Sequence, residues 1–203
     1  QANVVHMQAD AKAAMDFMVR ELRMAATTAC ADLSIPTSNT ITFSRAEDYG
    51  YSSSNTNAAT TLRDSSKAWT VNKFAGGTYF VWIKSGIGQY ECHAIGSNST
   101  NTLTLAGGET WTTIPDTTSL YFIVRKKAFT WLAADNTVRF SNNNGGTYSL
   151  LTPNVTVLSF SQGPPSCAVS TICIALNARS KDQDPNTHQY RTYALTDTAN
   201  PRN

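Results

Sequence analysis

The sequence predicts an α+β fold, in which one long N-terminal helix packs on an antiparallel β-sheet and a small all-β module is inserted into the chain. Three observations predict it. The first 26 residues carry an apolar stripe at helical spacing; much of the rest consists of short alternating segments parted by turn formers; and residues 67–125 form a run of such segments with its own aromatic content.

Val4, Met7, Ala11, Met15, Met18, Leu22 and Ala25 recur every three or four residues, which places them on one helical face. On the opposite face Lys12 and Asp16, then Asp16 and Arg20, stand four apart and can pair. With no Gly or Pro in the window, a straight helix of about seven turns is expected. That is longer than the mean helix of about 11–12 residues. The stripe suits either the inner face of a self-contained domain or a surface that pairs with another helix, and one helix can do both.

After the helix, the turn formers of "TTACADLSIPTSN" and its Pro36 end helical structure. Ile41 and Phe43 then alternate with Thr and Ser, the period of a half-buried strand. From Asp48 to Ser66 the text is polar and without period, and reads as a loop or mobile linker. Strands are expected at Thr78–Lys84, Gln89–Gly96, Thr102–Leu105 and Ser119–Arg125, separated by "SGIG", "SNSTN" and "TTIPDTT". A hairpin turns at Asp135 and Asn136 between strands around Phe129–Leu132 and Val138–Phe140. Ile172, Ile174 and Leu176 fall on one strand face, and Cys173, Ala175 and Asn177 on the other. The organisation that follows is helix and first strand at 1–45, linker at 46–66, inserted β-module at 67–125 and C-terminal sheet at 126–203.

Net charge is +2 over 203 residues, and charged residues make up 15%, below the usual level of about 25%. Thr, Ser and Asn are abundant instead, as suits a secreted or surface-exposed β-rich protein, and there is no electrostatic footprint for nucleic acid. No stretch approaches the roughly 18 apolar residues of a membrane span. The four cysteines, Cys30, Cys92, Cys167 and Cys173, lack C-x-x-C spacing and flanking histidines, which argues against zinc. Cys167 and Cys173 flank a turn in "PPSCAVSTIC", and a disulfide between them is expected. Nothing in the sequence brings Cys30 and Cys92 together, although an oxidising compartment would permit a second bridge.

No catalytic constellation is legible. His6, His93 and His188 are scattered, and Gly-x-Ser-x-Gly, phosphate-cradling loops and His-Glu-x-x-His are absent. No cofactor is expected. Asp182, Asp184 and Asn186 have the alternating oxygen spacing that opens a calcium loop. Thr187 and Tyr193 then stand where such a loop needs Gly and Glu, so a solvated turn is the preferred reading over calcium. Trp69, Tyr79, Trp82, Tyr90, Trp111 and Tyr121 suit the core and rim of a small barrel better than a platform for a glycan or protein ligand, because they are spread over strands.

The run from Ala14 to Ala25, Ala-Met-Asp-Phe-Met-Val-Arg-Glu-Leu-Arg-Met-Ala, resembles the segment after the membrane-spanning part of the N-terminal helix in type IV pilus minor pilins of the PilW class and in the related type II secretion minor pseudopilins of the PulJ (GspJ) class. Ala26 stands where that family usually has Gly. Leu151, Asn154, Val155, Leu158 and Phe160, and the ending "YRTYALTDTANPRN", are also similar to it. The resemblance implies a pilin-like fold and the ectodomain of a parent anchored in the inner membrane, its domain in the periplasm and later at a pilus tip or pseudopilus. It implies a non-catalytic role in assembly, with other minor and major pilins as partners. Val4, Met7, Ala11, Met15, Met18 and Leu22 would then be the contact stripe, with register set by Arg20, Glu21 and Arg23 unless these form an ordinary solvated face. Residues 67–125 resemble a β-module met in phage structural and bacterial surface proteins, through Trp69, Asn72, Gly76, Trp111, Pro115, Asp116 and Tyr121 among others. That likeness supports an insertion and no activity; the alternative expectation is a binding module in which residues 67–125 recognise a glycan or a surface protein.

Overall fold

The computed structural model describes residues 2–26, 30, 33–143 and 145–201, with the side chains of 2, 3 and 26 excepted. It corrects the expected fold class. Strand accounts for 44% of the chain and helix for 10%, so the protein is mainly β, with large antiparallel sheets and one short N-terminal helix, and the pilin-like expectation of a long helix laid on a sheet is overturned. The physical cause is strand length. The strand begun by Ile41 and Phe43 continues for 12 residues, and the one ending at Leu132 spans 13. Their Thr, Ser, Lys and Glu positions hide the alternation that a count of apolar residues detects.

The chain divides into two units. Unit 1 comprises Gln1–Ala25, Leu33–Phe43 and Lys127–Asn203; unit 2 comprises Ala26–Asp32 and Ser44–Lys126. The helix α1 (Ala2–Arg23) is 22 residues, and Arg20 and Arg23 in its last turn suit its negative end. It ends where Met24 donates to the Glu21 carbonyl at 3.2 Å. No helix among the described residues is long and apolar enough to cross a membrane.

Unit 1 follows α1 with β1 (Ala25–Ala26), β2 (Ser34–Thr37) and the first residues of β3 (Thr40–Tyr51). Between them stand the strands that unit 2 contributes: β4 (Thr61–Arg63), β5 (Tyr79–Ser85), β6 (Cys92–Asn98) and β7 (Thr102–Leu105). Unit 1 resumes late in β8 (Leu120–Leu132) and holds β9 (Thr137–Ser141), β10 (Ser149–Thr152), β11 (Val155–Gln162), β12 (Ile172–Arg179) and β13 (Thr192–Ala199). The last three form an antiparallel sheet in the order β11-β12-β13. Its Leu158, Phe160, Ile172, Ile174 and Leu176 join Met15, Met18 and Leu22 of the helix, and Ile41, Phe43 and Phe129, in one core. Phe17 meets Phe129 and Phe140 edge to face at 5.9 and 5.1 Å, the geometry that aromatic pairs prefer.

Unit 2 builds its own core on Leu62, Phe74, Val81, Ile83, Ile95, Leu103, Tyr121 and Ile123. Here β5 pairs β8 and β6, β6 pairs β7, and β7 pairs β4, all antiparallel. The segment expected to be a mobile linker is part of this unit. Leu62, Ser52, Asn57 and Asp64 are buried within it. Asn57 donates to the Pro115 carbonyl at 2.7 Å, and Tyr121 donates to Asp64 at 2.7 Å. A buried polar residue satisfied in this way costs little, but it carries no apolar signature in sequence.

Gly50 marks the tightest point of this packing. A Cβ there would lie 2.3 Å from Asp64 Oδ2 and 2.9 Å from the Tyr121 hydroxyl. Gly50→Ala should therefore break the Tyr121–Asp64 bond and destabilise unit 2 by about 1–3 kcal/mol. Urea unfolding of the variant, followed by tryptophan fluorescence, checks this. An unchanged midpoint would mean that Asp64 can move away freely.

Candidate functional site

The expected contact stripe is the inner face of α1. Met7, Ala11, Met15, Met18 and Leu22 are buried in the unit 1 core, and Val4 packs at its edge. Side chains in that position hold their own sheet, so they are not offered to a partner helix. Glu21 is likewise buried, and Lys127 Nζ donates to its Oε2 at 3.0 Å with both side chains almost fully shielded. Arg20 and Arg23 remain exposed, and the Arg20 guanidinium lies 5.3 Å from the centre of the Phe17 ring. Lys12 and Asp16 pair at 2.5 Å on the exposed face, where solvent screens such pairs and they add little. The helix thus turns a charged face outward and keeps its methionines for the core.

In unit 2 the alternation of β3 sends Asp48 and Gly50 toward the core and leaves Tyr49 and Tyr51 exposed. Tyr49 stacks on Phe122 of β8 at 5.6 Å, and Phe122 lies 5.8 Å from Trp82 of β5. Lys84 sits 5.5 Å from the Phe122 ring, and Lys126 sits 4.1 Å from Phe80. The Trp82 indole N–H is buried and meets no hydrogen-bond partner among the described residues. This face is an aromatic stripe edged by lysines. Tyr49 and Tyr51 were missed in sequence because they lie in a segment that looks like loop, although the Tyr-Gly-Tyr spacing is that of one strand face.

Behind the stripe, burial pushes the Asp48 carboxyl up, but bonds from Lys67 at 2.8 Å and from the Trp69 indole at 2.7 Å outweigh this and hold it below the usual range. Burial, with the Asp64 carboxylate, pushes the Tyr121 phenol well up, so it stays a neutral donor. These groups fasten β3 to the rest of the unit.

His93 of β6 stands 3.2 Å from both Glu91 and Glu109 and meets Trp111 edge-on at 4.8 Å. Glu91 also accepts from the Thr112 and Thr113 amides at 2.8 and 2.7 Å, and Glu109 accepts from the Ala94 amide at 2.9 Å. Burial opposes the Glu91 charge, yet these donors hold its carboxyl below its ordinary range. The cluster clasps the loop before β8 to β6.

The calcium candidate, Asp182, Asp184 and Asn186, lies on the connection between β12 and β13. Asp184 accepts from the Asn186 and Thr187 amides at 2.9 and 3.2 Å and from Arg191 at 2.8 Å. Among the described residues no group of three or more His, Cys, Asp or Glu is arranged to hold a metal ion. The Arg191 guanidinium and the two amides pull the Asp184 carboxyl down to about 2. A depressed carboxylate stabilises the turn fully above its ordinary range and loses that hold as pH falls toward 2. Exchange of the Asn186 and Thr187 amides should stay slow at pH 4 and accelerate near pH 2, whereas Asp184→Asn should make it fast throughout. Equal rates in the two proteins would contradict the capping role.

Cys167 and Cys173 form a disulfide, as do Cys30 and Cys92, and no cysteine is free. The first pair lies in unit 1 and the second in unit 2. No protein-family model matches the chain, and no curated protein or solved structure matches it significantly.

Proposed function

We propose that the chain is a non-catalytic assembly subunit of the minor pilin or pseudopilin kind, acting outside the cytoplasm in the initiation or capping of a type IV pilus or a type II secretion pseudopilus. The observation that carries this reading is the helix. It bears the Ala14–Ala25 run that resembles those proteins, and with its methionines committed to the core it presents Lys12, Asp16, Arg20 and Arg23 outward. Charged faces of this sort give specificity and orientation to non-covalent pairing. Two disulfides with no free thiol suit the periplasm. By the same resemblance, the parent protein is held in the inner membrane and partners other minor and major pilins, while the mainly β architecture is this chain's own.

The test is piliation or secretion in a strain lacking the gene. The intact protein should restore fibres, and Arg20→Glu with Arg23→Glu should not, while its thermal midpoint stays unchanged. Normal fibres without the gene would overturn the reading.

A second reading is favoured by the exposed Tyr49 and Tyr51 beside the Phe122–Trp82 stack. Such a stripe suits adhesion to a glycan or a surface protein, since exposed rings stack on sugars. Tyr49→Ala with Tyr51→Ala should then abolish adhesion and leave fibres intact, whereas loss of fibres would assign the stripe to assembly.

A further inference from the structure

Most sheet edges in this protein are blunted. β2 is four residues with Pro36 and a register shift, β10 is four residues with a register shift, and β4 is three residues. The outer side of β11 is bulged near Val155, and its Phe160 amide donates to the Ser38 carbonyl at 2.6 Å. These are the ordinary devices that stop an edge from recruiting another strand.

β13 has none of them. It pairs with β12 over all eight residues, Thr192–Ala199, without a bulge, and contains no Pro, no Lys and one charge, Asp197. Its parity is set at both ends. Ser180 donates to the Arg191 carbonyl at 2.8 Å, so odd-numbered residues turn their backbone groups toward β12. Thr198, of the other parity, donates its amide to the Asp197 carboxylate at 2.7 Å. Thr192, Ala194, Thr196 and Thr198 therefore point their N–H and C=O groups away from the sheet, and among the described residues no backbone pairs with them. All four are exposed, and their side chains are small.

We infer that β13 is an acceptor edge for an extended segment of a partner protein, which adds to the β11-β12-β13 sheet as a fourth strand. Only an extended backbone supplies donors and acceptors at the two-residue period of this edge, and a peptide of about eight residues, roughly 26 Å, would cover it. On the side away from the helix, a cavity of about 500 Å³ is lined by Ser159, Ser161, Cys173, Thr196 and Thr198. Every second side chain of the added strand would face it, which is where selectivity would arise. A second copy of the chain is the competing occupant, and self-association in solution would identify it. Two β13 edges pair about 4.8 Å apart, and each carries α1 over its sheet. Two-fold pairing would put both helices, each about 10 Å across, on the same side.

The test uses the intact, disulfide-bonded protein and a fluorescent peptide of alternating threonine and valine with a lysine at each end. Titration should protect the Ala194 and Thr196 amides from exchange and raise the peptide's anisotropy. Thr196→Pro removes one outward donor, and edge strands tolerate Pro at such a site. It should weaken binding at least tenfold, as should Ala194→Lys, which keeps every backbone donor and serves if the Pro variant fails to fold. No protection at millimolar peptide, protection mapped away from β13, binding unchanged in both variants, or self-association through β13 in sedimentation would each overturn the inference.

Discussion

Glu21→Ala is expected to lower the stability of unit 1 by about 3–5 kcal/mol, because it leaves the Lys127 ammonium buried without its carboxylate. The cost comes from the shielded ammonium losing that acceptor more than from the pair's own attraction. A double change, Glu21→Met with Lys127→Met, removes both charges and keeps the volume, so it should recover most of the loss. Denaturant midpoints of the two single variants and the double variant check this. If the double variant were as unstable as Glu21→Ala, the pair would be a net source of stability, and the desolvation account would fail.

Loss of the Cys30–Cys92 bridge is the second large effect. It spans 62 residues, whereas Cys167–Cys173 spans six. Chain-entropy arithmetic assigns about 4 kcal/mol to the longer loop and about 2 kcal/mol to the shorter. Cys30→Ser with Cys92→Ser should therefore cost roughly twice as much as Cys167→Ser with Cys173→Ser. The first should also fall on unit 2, which holds Trp69, Trp82 and Trp111, so tryptophan fluorescence should report it directly. Equal losses would mean that the unfolded chain is too compact for loop length to matter.

Both effects rest on contacts that a single sequence does not display. The helical stripe was legible because Met7, Ala11, Met15, Met18 and Leu22 repeat at the helical period, but periodicity does not say what the stripe meets. Here it meets the chain's own β11–β13 sheet and the Phe129 region. Glu21 stands in a run with Arg20 and Arg23 that reads as surface, and its partner lies 106 residues away. The alternation of Ile172, Ile174 and Leu176 was clear because a half-buried strand sorts its side chains by polarity. Residues 46–66 hid their strand character because Ser52, Asn57 and Asp64 are buried as hydrogen-bonded polar groups. The fold class failed for the same reason: long strands rich in Thr, Ser and Lys outweigh one conspicuous helix. The open edge at β13 could not be read at all, since an edge belongs to a sheet's order and not to any one strand.

Under the proposed function, this protein works by non-covalent assembly through its outward faces, with the apolar stripe packed in its own core. A photo-crosslinking residue placed in the full-length protein in its own cells tests it, at Arg20 and, for comparison, at Met18. The account predicts that Arg20 gives adducts whose second component is identified by mass spectrometry as another filament subunit, and that Met18 gives only internal crosslinks to the β11–β13 sheet. Filament adducts from Met18 and none from Arg20 would contradict it.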